Sequence, residues 1–215
     1  MRWPIVLALV LVVLSSVQGA AGGEQNRPLE TIGIYISPPG KAEARCYDFY
    51  KACGYDYLEF CEGGFGRRPD LLPAYHREMA EAIDAAQKKG FKVWIWWVPG
   101  YVDSATTVAV QHREWLVKNQ DGSVHPSYAL CPAYPPVQEH YRNLVRKFIE
   151  DYRLDGLKLD FGEINSAPPC YDSMHNHNDP FDPFRSTPLL FENICNTAKQ
   201  YNPDIVVPAF EIIVP

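Results

Sequence analysis

The sequence predicts an α/β chain, a (β/α)8 TIM barrel represented by about its first five βα units. Three observations carry that expectation. Five strand-like runs alternate with helical segments at the spacing of βαβ units. The third run, 91–98 (FKVWIWWV), is apolar on both faces apart from Lys92, the pattern of a parallel strand covered on both sides. Chemically unusual residues then collect just after strands, at Cys61-Glu62, Trp97, Asp160 and the loop 162–188, and in a barrel such positions share one catalytic rim. A doubly wound nucleotide-binding sheet lacks comparable support, because no G-x-G-x-x-G or G-x-x-x-x-G-K-[ST] loop follows a strand.

The first strand is 31–36 (TIGIYI), a β-branched run stopped by Ser37-Pro38-Pro39-Gly40, and a helix follows over 42–52 before Gly54 ends it. The second strand, 55–60 (YDYLEF), is broken by Gly63-Gly64. Asp70 opens a long helix to Lys89 in which Leu72, Tyr75, Met79, Ala82, Ile83 and Ala86 share one face, and Gly90 stands in the C-capping position. Pro99-Gly100 ends the third strand. Helix-compatible residues 106–117 lead through the turn Asn119-Gln120-Asp121-Gly122 to a short strand-like piece, 128–131. Helix 135–152, with Tyr141, Leu144, Val145, Phe148 and Ile149 on its apolar face, feeds the fourth strand, 155–161 (DGLKLDF). A long loop precedes helix 189–201, and 204–210 (DIVVPAF) is the fifth strand. A complete barrel takes about 250 residues, so this length is expected to hold only part of one.

Composition places the chain among folded, enzyme-like domains: 47% hydrophobic, 13% aromatic and 21% charged residues over 215 positions. The formal net charge is -6 and the basic residues are scattered, so no nucleic-acid partner is expected. After Arg2, the apolar run 5–14 leads to Gly19, Ala20 and Ala21. Ten residues are too few to cross a hydrocarbon core that needs about 20, so 1–21 reads as a secretory signal peptide and 22–215 as barrel domain. The expected location is secreted or periplasmic, without a stable membrane anchor. Cys46, Cys53, Cys61, Cys131, Cys170 and Cys195 contain no C-x-x-C pair, and their connectivity is not readable from spacing.

Chemistry concentrates in the fourth strand. Alternation sends Leu157, Leu159 and Phe161 to one face and Lys158 and Asp160 to the other, so a cation and a carboxylate point the same way at the strand's end. One possibility is an internal ion pair that braces the sheet. The other is a carboxylate held ionised by its lysine neighbour, able to act as a nucleophile or to stabilise a cationic transition state.

Together with His112-Arg113-Glu114-Trp115-Leu116, the piece Leu130-Cys131-Pro132 and the helix from Val137 to Tyr152, the strand 156–161 resembles the catalytic barrel of the α-galactosidases. These belong to the glycoside hydrolase clan that includes families 27 and 36, and the resemblance runs from about Trp94 onward. The K-x-D element, here Lys158-Leu159-Asp160, is its most specific part. The resemblance implies a retaining hydrolase of α-galactosides or related glycosides, with Asp160 as nucleophile and Lys158 on sugar hydroxyls. It further implies substrate contacts from Glu62, Asn165 and Cys131, no cofactor and no metal. The acid/base of the clan is an aspartate on a later strand, expected beyond Pro215. In place of the clan's D-D-G-W-like segment stands Cys61-Glu62-Gly63-Gly64-Phe65, which keeps one carboxylate and loses one.

Aromatic residues support a sugar site independently. Trp94, Trp96 and Trp97 crowd the third strand, and an indole face packs against the C–H face of a pyranose. Trp97, nearest the rim, is the expected platform, whereas Trp94 and Trp115 are expected in the core. In the loop after Asp160, His175, His177 and Asp179 raise a rival possibility, a metal-dependent hydrolase; a lid over the sugar subsite is the alternative use of that loop. A second rival is a carbohydrate-binding barrel remnant without an acid/base. The expected partner in either sugar-directed case is an oligosaccharide or glycoside.

Overall fold

The computed structural model describes residues 33–36, 45–61, 73–159, 167–175 and 177–207. Four parallel strands form one sheet in the order β1-β2-β3-β4. They are β1 (Gly33–Ile36), β2 (Tyr57–Cys61), β3 (Lys92–Trp97) and β4 (Gly156–Leu159). Helix α1 (Tyr47–Ala52) joins β1 to β2, and α2 (Pro73–Lys88) joins β2 to β3. The short α3 (Thr107–Gln111) and then α4 (Pro135–Tyr152) lie between β3 and β4, and α5 (Asp182–Tyr201) follows β4. Past α5, Val206 forms a parallel bridge with Gly156, so the predicted fifth strand begins against β4, while its residues 208–210 lie outside the described set. The predicted leader 1–21 lies outside it as well.

The register sorts the strand residues onto two unlike faces. Leu58 and Phe60, Val93, Ile95 and Trp97, and Leu157 and Leu159 alternate onto one face, and all are fully buried. That face packs on Met79, Ile83 and Ala86 of α2, on Tyr141, Leu144, Val145 and Phe148 of α4, and on Leu190, Ile194 and Ala198 of α5. Fully burying each such side chain stabilises by about 1.5–3 kcal/mol, so this layer is what holds the helices to the sheet. The opposite face carries Tyr57, Glu59, Trp94, Trp96, Gly156 and Lys158, polar and aromatic groups with glycine between them. Glycine is required there for space: a Cβ on Gly156 would lie 2.4 Å from the Trp94 indole, and one on Gly33 only 1.9 Å from the Tyr57 ring.

Helix α4 has the predicted bounds, since Pro135 and Pro136 occupy its first turn, where an N–H has no partner to lose. Its end is satisfied from outside: Gln87 Nε2 of α2 donates to the carbonyls of Tyr152 and Arg153 at 3.1 and 3.0 Å. Two expectations need correction. Residues 106–117 are not one helical stretch; α3 stops at Gln111, a single 3-10 turn spans Arg113–Trp115, and Leu116 and Lys118 bridge in antiparallel fashion to Leu130 and Val124. Helix α5 starts at Asp182, seven residues before the predicted 189, and takes Pro188 inside it. Pro183 in the first turn and the Asp179 and Asp182 carboxylates bound to Arg185 establish the helix before Pro188 removes one bond.

Candidate active site

On the polar face of the sheet, Lys158 Nζ donates to Glu59 Oε1 at 2.9 Å, across β3 from β4 to β2. Glu59 sits beside Trp94 and Gly156 in the register, and Lys158 sits one layer nearer the strands' carboxyl ends, beside Trp96 and Cys61. The lysine therefore reaches back along the strands. Both residues are more than nine-tenths buried, at 6% and 8% exposure, so each charge depends on its partner rather than on water. Beneath them Tyr57 stacks on Trp94 with centroids 4.4 Å apart.

Lys158 thus occupies the face expected of it. Asp160, Glu62 and Asn165 lie outside the described residues. Trp97 does not serve as the expected sugar platform. It falls on the aliphatic face, 0% exposed, with its ring 5.6 Å from those of both Tyr141 and Phe148 on α4. Trp96, half-buried and in register with Lys158, is the indole on the polar face near the strand end. Trp115 packs against the core as expected, and also stacks on His112 at 3.9 Å.

Cys131 likewise does not line a sugar surface, because it is fully buried under the loop that follows β4. There it meets Cys170, His175 and His177: one ligand-capable atom from each of the four lies within 4.8 Å of all the others. His175 Nδ1 is 3.2 Å from Cys170 Sγ, its Nε2 bonds the carbonyl of Glu114, and its ring stacks on Tyr134 at 4.6 Å. The neighbouring Cys131 thiol draws Cys170 below the usual thiol range, and the same proximity, with burial, pushes Cys131 up. Burial pulls His175 down, but its contacts with Cys170 and the Glu114 carbonyl outweigh that and leave it raised. Asp179, grouped with the histidines in the sequence, instead pairs with Arg185 at 2.8 Å.

Glu59, Trp96 and Cys170 are thus the residues that sequence reasoning missed. Parity was the available signal for Trp96, since Val93 and Ile95 mark the aliphatic face to which Trp97 belongs. Glu59 alternates with Leu58 and Phe60 in the same way, as an isolated carboxylate in an otherwise apolar strand. Cys170 had no local signal, because its neighbour Cys131 comes from another loop.

No family model matches the sequence. The chain is 30% identical over 132 residues to the A type blood alpha-D-galactosamine galactosaminidase of Flavonifractor plautii, covering 55% of this chain and 12% of that protein. Among solved structures it is similar to the α-galactosidase of Lactobacillus brevis, with TM-score 0.64 and 18% identity over 79% of this chain and 24% of the enzyme. The α-galactosidase of Thermus thermophilus, solved with p-nitrophenyl alpha-D-galactopyranoside, superposes with TM-score 0.60 and 18% identity over 78% of this chain and 34% of the enzyme. The chain therefore spans about an eighth of the curated relative's length, and it shares the fold of α-galactosidase-like glycoside hydrolases over about a quarter to a third of theirs.

Proposed function

We propose that this chain forms part of the catalytic (β/α)8 barrel of an exported retaining glycosidase acting on α-galactosides or closely related glycosides, with Asp160 as nucleophile. The single observation that carries this reading is the buried Lys158 on the polar face of β4, at the carboxyl end of a parallel sheet similar to those of the α-galactosidases. The period-two alternation of the sequence assigns Asp160 to the same face as Lys158, which supports this reading. There the ammonium favours the ionised carboxylate that nucleophilic attack requires.

The chemistry follows from that placement. Asp160 attacks the anomeric carbon and forms a covalent glycosyl ester, while a second carboxyl group about 5–5.5 Å away protonates the leaving oxygen and later deprotonates water. Lys158, held by Glu59, keeps a fixed position from which it also reaches sugar hydroxyls. Trp96 supplies the apolar platform in the role first expected of Trp97. The buried aromatic layer below excludes water from one side and strengthens the electrostatic contacts of the site.

Asp160→Asn in the full-length protein tests this directly. Turnover of p-nitrophenyl α-galactoside is expected to fall by several orders of magnitude while thermal stability stays close to that of the parent. With a slow fluorinated galactoside, mass spectrometry is expected to find the sugar attached to the peptide containing Asp160. Near-normal turnover of the variant, or attachment at another carboxylate, would refute the assignment.

A further inference from the structure

We propose that Cys131, Cys170, His175 and His177 form a structural zinc site that ties the loop after β4 to the segment between β3 and α4. A tetrahedral zinc with Zn–S of about 2.3 Å and Zn–N of about 2.0 Å separates its ligand atoms by about 3.3–3.8 Å. The four atoms here lie within 4.8 Å of one another, and the Cys170–His175 separation is already 3.2 Å. Two thiolates and two neutral imidazoles balance a dication, so the assembled site is neutral and suited to burial. The two thiol protons leave to solvent as the metal binds.

The surroundings fit the same assignment. His177 Nε2 is buried and has no hydrogen-bond partner among the described residues, the condition of a ligand atom rather than of a packed side chain. His175 bonds the Glu114 carbonyl through Nε2, which leaves Nδ1 facing Cys170, the arrangement by which a ligating histidine is oriented from behind. A mixed sulfur and nitrogen set of four selects zinc over the hard cations.

Cys131, Cys170 and His175 are all 0% exposed and His177 alone is partly exposed, so the two sulfurs are closed to a substrate. Four protein ligands also leave no position for a metal-bound water. The site is therefore structural, not the hydrolytic centre considered from the histidine loop. A buried Cys–His nucleophile is disfavoured by the same lack of access.

The test is metal analysis of the full chain purified without chelators. About one equivalent of zinc per chain is expected, retained in Asp179→Ala and Cys195→Ser and lost in Cys131→Ser and His177→Ala. A second readout avoids dependence on variants that fold poorly. The parent protein reconstituted with cobalt(II) should show intense tetrahedral visible bands together with thiolate-to-cobalt charge transfer in the near ultraviolet. Absence of stoichiometric zinc uptake, weak octahedral cobalt bands, or a Cys131–Cys170 disulfide in the non-reduced protein would each overturn the proposal.

Discussion

Replacing Glu59 by glutamine keeps the volume of the side chain but removes the carboxylate that accepts from the buried Lys158 ammonium. At the observed 2.9 Å and an effective dielectric of about 20, the pair attracts by about 6 kcal/mol, and this attraction offsets the cost of removing both charges from water. With only 10% and 8% of the two side chains exposed, little solvent is available to take over when one partner goes. The expected loss for Glu59→Gln is about 3–5 kcal/mol, and Lys158→Met, which removes the cation facing Glu59, should cost a similar amount. For a chain of this size that corresponds to a fall in melting temperature of roughly 6–20 °C. The double variant Glu59→Leu/Lys158→Met should recover most of the loss, because a well-packed apolar pair removes the desolvation cost along with the attraction. Urea unfolding of the parent, Glu59→Leu, Lys158→Met and the double variant closes the cycle and gives the coupling, expected at about 2 kcal/mol or more. Single variants that each lose under about 1 kcal/mol, with a double variant equal to their sum, would refute a tightly coupled buried pair.

Two further outcomes follow from the same structure. Trp97→Ala should destabilise by about 3–5 kcal/mol through the cavity left against Tyr141 and Phe148, whereas Trp96→Ala should leave stability largely intact and raise KM for p-nitrophenyl α-galactoside; calorimetry and steady-state kinetics separate the two, and a KM effect confined to Trp97 would reverse the assignment. His140 is lowered to about 4, chiefly by burial and secondarily by nearby His112, so the unfolded chain binds the proton more readily between about pH 4 and 6.5. Stability contributed by the neutral ring is present above about 6.5 and is lost as pH falls toward 4, by about 3 kcal/mol. His140→Phe should flatten that part of the difference in pH–stability profiles, and an unchanged slope would count against a buried neutral histidine.

Patterns confined to one element were legible in the sequence. The apolar spacing of 135–152 and its two leading prolines predicted α4 with its observed bounds, and the apolar third strand predicted a parallel sheet, although only one of its faces is fully buried. Misreadings came where one residue carries two meanings. Pro188 reads as a helix stop, yet three turns of α5 bury Pro183, Thr187, Leu190 and Ile194, and that packing outweighs one missing backbone bond. Trp97 reads as a rim residue by its distance along the strand, but period-two alternation fixes its face, and face decides burial. The link between Glu59 and Lys158, and the meeting of Cys131 with Cys170, depend on how separate segments are brought together, which no local spacing encodes.

The glycines of the sheet have a consequence for traffic in and out of the site. Because Gly33 and Gly156 have no side chains, the rings of Tyr57 and Trp94 lie flat over them and close the amino-terminal side of the polar face. Together they make a floor beneath Lys158 and Glu59. Across the described strands these rings cover the polar face on the amino-terminal side of the ion pair. On the proposed glycosidase reading, sugar and water would approach this face from the carboxyl ends of the strands, and the order of product departure and water entry would be set at that one side.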